Sequence, residues 1–193
     1  MQLRSLRQLN IIIGLFVLEL FMIIAFLAIS ANEAMAQASG LTLQSVDGKE
    51  ISLADHRGQV VVLAFNANWT PMAKKSLPAL QRIANLYKGR GVVFYWVSIN
   101  SAQEGEKEFA TDSDLKAFAK KNGLRMTVLR DPERKAFQEF GLDVIPSIVI
   151  LDRAGEVYKK QVGFDTTPTQ GYKSVIRTLN RLLKKASPTP API

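Results

Sequence analysis

The sequence predicts one layered α/β domain, a central mixed sheet flanked by helices, preceded by an apolar leader. Three observations predict it. Strand-like and helix-like segments alternate along residues 40–185, the pattern of a sheet covered by helices. Residues 60–65 and 92–99 form near-continuous apolar runs, as in strands buried on both faces. Residues 71–88 and 170–185 instead repeat their apolar positions at helical spacing. The chain of 193 residues, 47% hydrophobic and holding 10 Phe, 4 Tyr and 2 Trp, supplies a core for one such domain.

The first segment, 1–36, carries Arg4 and Arg7 ahead of an apolar run over 11–30. Basic residues before such a run direct its far end across a membrane, so the following domain is expected outside the cytoplasm, in a periplasmic or equivalent space. At about 1.5 Å per residue the run comes close to spanning about 30 Å of hydrocarbon. Glu19 within it costs roughly 2.5–3.5 kcal/mol, which the many Ile, Leu and Phe residues outweigh. Length favours an uncleaved anchor. Ala34, Met35 and Ala36 form an A-x-A site, so cleavage after Ala36 to a soluble secreted form is the alternative.

The domain is expected over 40–185. Residues 41–43 and 51–53 alternate around Asp47-Gly48, a tight-turn pair, and read as a β-hairpin. Strand 60–65 leads to a helix over 71–88, with Pro71 suited to its first turn and Leu77, Leu80, Ile83, Ala84 and Tyr87 on its apolar stripe. Pro78 within it is expected to kink it. After strand 92–99 and a polar loop, Asp112 or Ser113 is the expected cap of a helix ending at Asn122-Gly123. A strand over 126–129, a helix over 132–140, strands over 147–151 and 156–162, and a final helix over 170–185 complete the order. Residues 186–193 are Pro-rich and expected to be disordered.

Composition excludes several chemistries. The chain has no cysteine, hence no disulfide, no thiolate nucleophile and no thiolate metal site. Its net charge of +8 lies outside the leader and favours acidic partners. Lys and Arg are scattered, thickening toward residue 185. A solvated basic surface is the simpler reading and a dedicated anion-binding face the other. No nucleic acid is expected as a partner.

The most informative stretch runs from Asn68 through Trp69, Thr70, Pro71, Met72, Ala73, Lys74, Lys75, Ser76, Leu77 and Pro78 to Leu80. It resembles the active-site segment of the TlpA/ResA-like thioredoxins of the redoxin superfamily, which read W-C-x-x-C followed by an apolar residue and P-x-L. Trp69, Pro71, Leu77, Pro78 and Leu80 match, while Thr70 and Ala73 stand at the two cysteine positions. Gly141, Leu142, Pro146 and Ser147 resemble the family's G-V-x-x-x-P-T, in which Pro146 would be the cis-proline facing the active-site helix. The resemblance covers about residues 40–185. It implies a thioredoxin fold with an added N-terminal hairpin and an inserted αβ segment. It also implies that the family's frequent acid has become Ser76.

Disulfide exchange requires a thiolate attacking sulfur, so Thr-Pro-Met-Ala in place of Cys-x-x-Cys leaves no such activity to this chain alone. Three readings of Thr70 stay open. It caps the helix, its oxygen accepting a backbone N–H. It belongs to a surviving apolar binding groove with Trp69, Pro71, Met72, Ile145 and Pro146, where backbone groups beside the cis-proline pair with an extended peptide. Or its hydroxyl steers a bound thiol, as the resemblance to glutathione-binding relatives implies.

His56, the sole histidine, reads as a surface residue and cannot form a metal site alone. Glu104, Glu106, Glu108, Asp112 and Asp114 lack a calcium-loop pattern and read as a solvated loop. No cofactor or metal is expected. The expected function is a membrane-tethered, redox-inactive protein that binds or chaperones a client protein or membrane complex. The alternative is an enzyme of the oxidoreductase family acting on a ligand or partner thiol.

Overall fold

The apolar runs become the strands of one sheet, and the polar residues between them become its turns and caps. The computed structural model describes residues 40–164 and 172–184. Residues 1–39, 165–171 and 185–193 lie outside the described residues, together with the expectations placed on them. Among the described residues no helix is long and apolar enough to cross a membrane.

The strands are β1 (Thr42–Ser45), β2 (Glu50–Ser52), β3 (Val60–Asn66), β4 (Val92–Ser98), β5 (Thr127–Arg130), β6 (Ser147–Leu151) and β7 (Val157–Val162), in the order β2-β1-β5-β4-β3-β6-β7. Strands β3, β4 and β5 are parallel, and the remaining pairs are antiparallel. The helices are α1 (Pro71–Tyr87), α2 (Asp112–Lys121), α3 (Lys135–Glu139) and α4 (Lys173–Lys184).

Every residue of β3 and β6 is buried, because both faces of the sheet are covered. Val60, Val62 and Ala64 pack into one core with Leu77, Leu80 and Tyr87 of α1, Leu115 of α2, and Val175 and Leu179 of α4. Val61, Leu63 and Phe65 turn to the other face and pack with Phe137, Phe140 and Leu142. Phe65 meets Phe137 and Phe140 edge-on at 5.8 and 5.9 Å between ring centroids, a favoured aromatic geometry. Each such large apolar side chain contributes about 1.5–3 kcal/mol when fully buried.

The boundaries differ from expectation where side chains capture backbone groups. In the hairpin, Ser45 Oγ accepts the N–H groups of Asp47 and Lys49, so β1 extends to Ser45. Leu53 opens a 3-10 turn capped by Ser52 and does not extend β2. Helix α2 is capped by Thr111, ahead of both expected candidates, because Asp114 completes a reciprocal capping box with it. Helix α3 is shorter than 132–140. Arg134 sits at φ 57°, outside the helical region, and the Asp131 carboxylate accepts the N–H groups of Ala136 and Phe137.

Candidate functional site

Strands β3 and β4 run parallel and end level, with Asn66 in register with Ser98. In open α/β sheets, ligands bind outside the carboxyl ends of such strands. Here those ends carry a polar network. Asn100 is fully buried, accepts from Ser98 Oγ at 3.0 Å and from the Asn68 N–H at 3.1 Å, and donates to Asn68 Oδ1 at 2.8 Å and to the Glu108 carbonyl at 3.0 Å. It thereby fixes the turn between β3 and α1. Sequence reasoning did not single out Asn66, Ser98 or Asn100. The signal available was polar residues ending two adjacent apolar runs.

Helix α1 starts from that turn. Thr70 is its N-cap, with extended backbone and its Oγ1 accepting the Ala73 N–H at 3.0 Å. Pro71 follows at the first helical position, where its missing N–H removes no helical bond. The Thr70 hydroxyl lies 3.3 Å from both Asn66 Oδ1 and the Ala67 carbonyl. Asn66 Oδ1 also accepts the Ala67 N–H at 2.9 Å. Thr70 is buried, and both Ala73 and Ser76 have no exposure. Ser76 Oγ donates to the Ala73 carbonyl at 3.0 Å.

Trp69 lies beside this buried cap and is 48% exposed, Pro71 is exposed and Met72 is half-buried. Residues 144–146 approach the same end of the sheet, since β6 begins at Ser147 directly opposite Phe65 of β3. The Ile145–Pro146 peptide bond is cis, and the Pro146 carbonyl accepts the Gly163 N–H at 2.8 Å. Pro146 itself is buried and Ile145 half-buried. The exposed apolar side chain of this segment is Val144, which the sequence reading passed over.

The electrostatics beneath the site are those of a structural core. Burial pushes the Tyr172 phenol up to about 12, partly offset by its hydrogen bond with Ser76. The phenol therefore stays neutral and carries no acid–base chemistry near pH 7. Farther along the sheet end, burial pushes the Asp131 carboxyl up, and backbone N–H groups of α3 pull against it. Burial, with Asp131 nearby, also raises Glu139.

The other singled-out residues are engaged structurally. His56 is half-buried: its Nε2 shares a hydrogen bond with the Tyr95 hydroxyl at 2.7 Å and its Nδ1 with Gln59 at 3.1 Å, so it is more than a surface residue. Glu108 pairs with Arg134, Asp112 pairs with Arg130, and Asp114 closes the α2 cap. Among the described residues no group of three His, Asp or Glu could hold a metal ion.

This arrangement resembles known proteins in sequence and in fold. The AhpC/TSA family profile matches residues 34–160. Thiol-disulfide oxidoreductase ResA of Bacillus thuringiensis strain Al Hakam is 25% identical over 130 residues, 67% of this chain and 70% of that protein. A thiol:disulfide interchange protein DsbE from Chlorobium tepidum, as its crystal structure is described, superposes with a TM-score of 0.61 at 25% identity, covering 74% of this chain and 92% of that one. The exposed lipoprotein thioredoxin Etrx1 of Streptococcus pneumoniae TIGR4 gives 0.60 at 29% identity, covering 74% and 98%.

Proposed function

We propose that this chain, which belongs to the AhpC/TSA family, is a redox-inactive thioredoxin-like protein that binds an extended segment of a client protein. The observation that carries this reading is the state of the α1 N-terminus. Thr70 and Pro71 start the helix without a thiol, while Trp69 and Val144 stand exposed at the same sheet end. Thiol–disulfide exchange by its own residues is excluded, since that reaction needs a thiolate and the chain has none. An oxidoreductase acting on a partner's thiol would still need a group here to activate it. Thr70 Oγ1 is instead held among Ala73, Asn66 and Ala67.

Exposed apolar side chains flanking polar backbone suit an extended peptide better than a small polar ligand. Among the described residues the N–H and C=O of Ile145 take no hydrogen-bond partner and are available to such a strand. Tethering to a membrane, with the domain outside the cytoplasm, is part of the proposal and rests on the basic, then apolar, leader.

Tryptophan emission tests this reading. Trp96 is fully buried and Trp69 is half-exposed, so a change in solvent exposure on binding reports Trp69. A reduced, alkylated unfolded protein added to the full chain should shift emission to the blue, and its folded form should not. Val144→Asp and Met72→Asp should weaken the response. Equal responses to both client forms, or no loss in either variant, would sink the proposal.

A further inference from the structure

A groove of about 450 Å³ lies between the edge strand β7 and helix α4, away from the residues considered so far. It is lined by Tyr158, Lys159, Ser174, Arg177, Thr178 and Arg181. Its volume falls within the range of small-ligand sites, about 300–1,000 Å³. Three of its six lining residues are cations and none is an acid. Among the described residues, none of the three cations is in an ion pair.

Ordinary structural roles do not explain this grouping. Arg181 and Lys184 lie in the last turn of α4, where the helix dipole favours cations. Arg177 lies outside that turn and, four residues before Arg181, shares its face, where like charges repel. The helix has no acid to offset them. Lysine on a sheet edge commonly blocks edge pairing, but Lys159 is turned onto α4. Its Nζ donates to Ser174 Oγ at 3.0 Å, and Ser174 Oγ donates to Gln161 Oε1 at 2.5 Å. Among the described residues this relay holds the ammonium on the groove wall and takes one of its three protons. Thr178 Oγ1 is spent on the Ser174 carbonyl at 2.9 Å. The donors left for a ligand are the two guanidinium forks and the Lys159 ammonium.

Guanidinium forks match the oxygens of a phosphate group, and a held ammonium adds a point charge. We infer that this groove binds a phosphate group, carried either by a lipid headgroup or by a small free phosphate. An anion between Arg177, Arg181 and Lys159 replaces their mutual repulsion with charge-assisted hydrogen bonds.

The test uses the full chain in dodecyl maltoside micelles, which carry no phosphate, and reads phenylglyoxal modification of each arginine by peptide mass spectrometry. Arg82, exposed on α1, is the reference. Inorganic phosphate, compared with chloride at equal ionic strength, should slow modification of Arg177 and Arg181 several-fold and leave Arg82 unchanged. Protection that requires phosphatidylglycerol added to the micelles supports the site with a lipid headgroup as its source, and protection by inorganic phosphate supports a free phosphate. Lys159→Met should remove the protection. Arg181→Gln, read at Arg177, gives the same test through a second variant. No protection under either condition, equal slowing at Arg82, or equal protection by chloride would overturn the inference.

Discussion

Thr70 shows how much one residue can carry once its thiol is gone. Its oxygen accepts the Ala73 N–H, a buried helix-end donor that it shares with the Thr70 carbonyl at 3.1 Å. Thr70→Ala should therefore lower stability by about 1 kcal/mol, within the range of about 0.5–2 for lost caps. Thr70→Ser keeps the oxygen and should stay within about 0.5 kcal/mol of the parent. Urea midpoints of the three proteins decide this, and an unchanged midpoint in the alanine variant would remove the cap from the account. The cap was legible in the sequence because capping is local: a Thr directly before Pro, at the head of an apolar stripe, is enough to suggest it. The network under it was not. Asn66 and Ser98 are 32 positions apart in the chain, and only the parallel register of β3 and β4 brings them level. Val144 was missed for a related reason, since nothing local distinguishes an exposed valine from its buried neighbours.

At the scale of elements, α1 carries the two positions where the sequence has Thr70 and Ala73 in place of thiols. Positions 70 and 73 occupy its N-cap and first turn, where backbone N–H groups and the helix dipole favour a thiolate. Thr70→Cys combined with Ala73→Cys should restore a dithiol that forms a disulfide on oxidation and reduces insulin faster than the parent chain. The thiol at position 70 should alkylate with a pKa below the ordinary value of about 8.5. A folded variant that forms no disulfide would show that α1 no longer has the geometry the family uses. Helix α2 gives a second test. Thr111 and Asp114 bond each other's backbone N–H groups, so Thr111→Ala should cost about 1 kcal/mol by urea denaturation. The sequence reading named Asp112 or Ser113 as the cap and passed over the adjacent Thr111. What selects Thr111 is the return bond from Asp114, a geometric fact that composition cannot rank.

At the scale of the whole molecule, alternation and apolar runs made the layered α/β plan legible, but not the position of β5. Chain order separates β5 from β1 by several elements, yet it lies between β1 and β4 and ties the hairpin to the sheet. The residue that follows β5, Asp131, then anchors α3. This joint makes stability depend on pH. Burial raises the carboxyls of both Asp131 and Glu139, with the Asp131 charge adding to the rise at Glu139 and the Glu133 charge to that at Asp131. A carboxyl raised in the folded state binds more protons folded than unfolded, so its contribution is fully present below the unfolded value and is lost as pH rises through the folded one. The unfolded values are about 3.9 for Asp and 4.3 for Glu. Asp114, lowered by its bonds to Thr111, acts in the opposite sense, but it is fully exposed and salt screens it. At physiological ionic strength the urea midpoint should therefore fall as pH rises from about 4 through the raised range of the pair. Glu139→Gln removes one of the two raised carboxyls, so its midpoint should fall less over the same interval. A variant whose slope matches the parent's would show that Glu139 does not couple folding to pH.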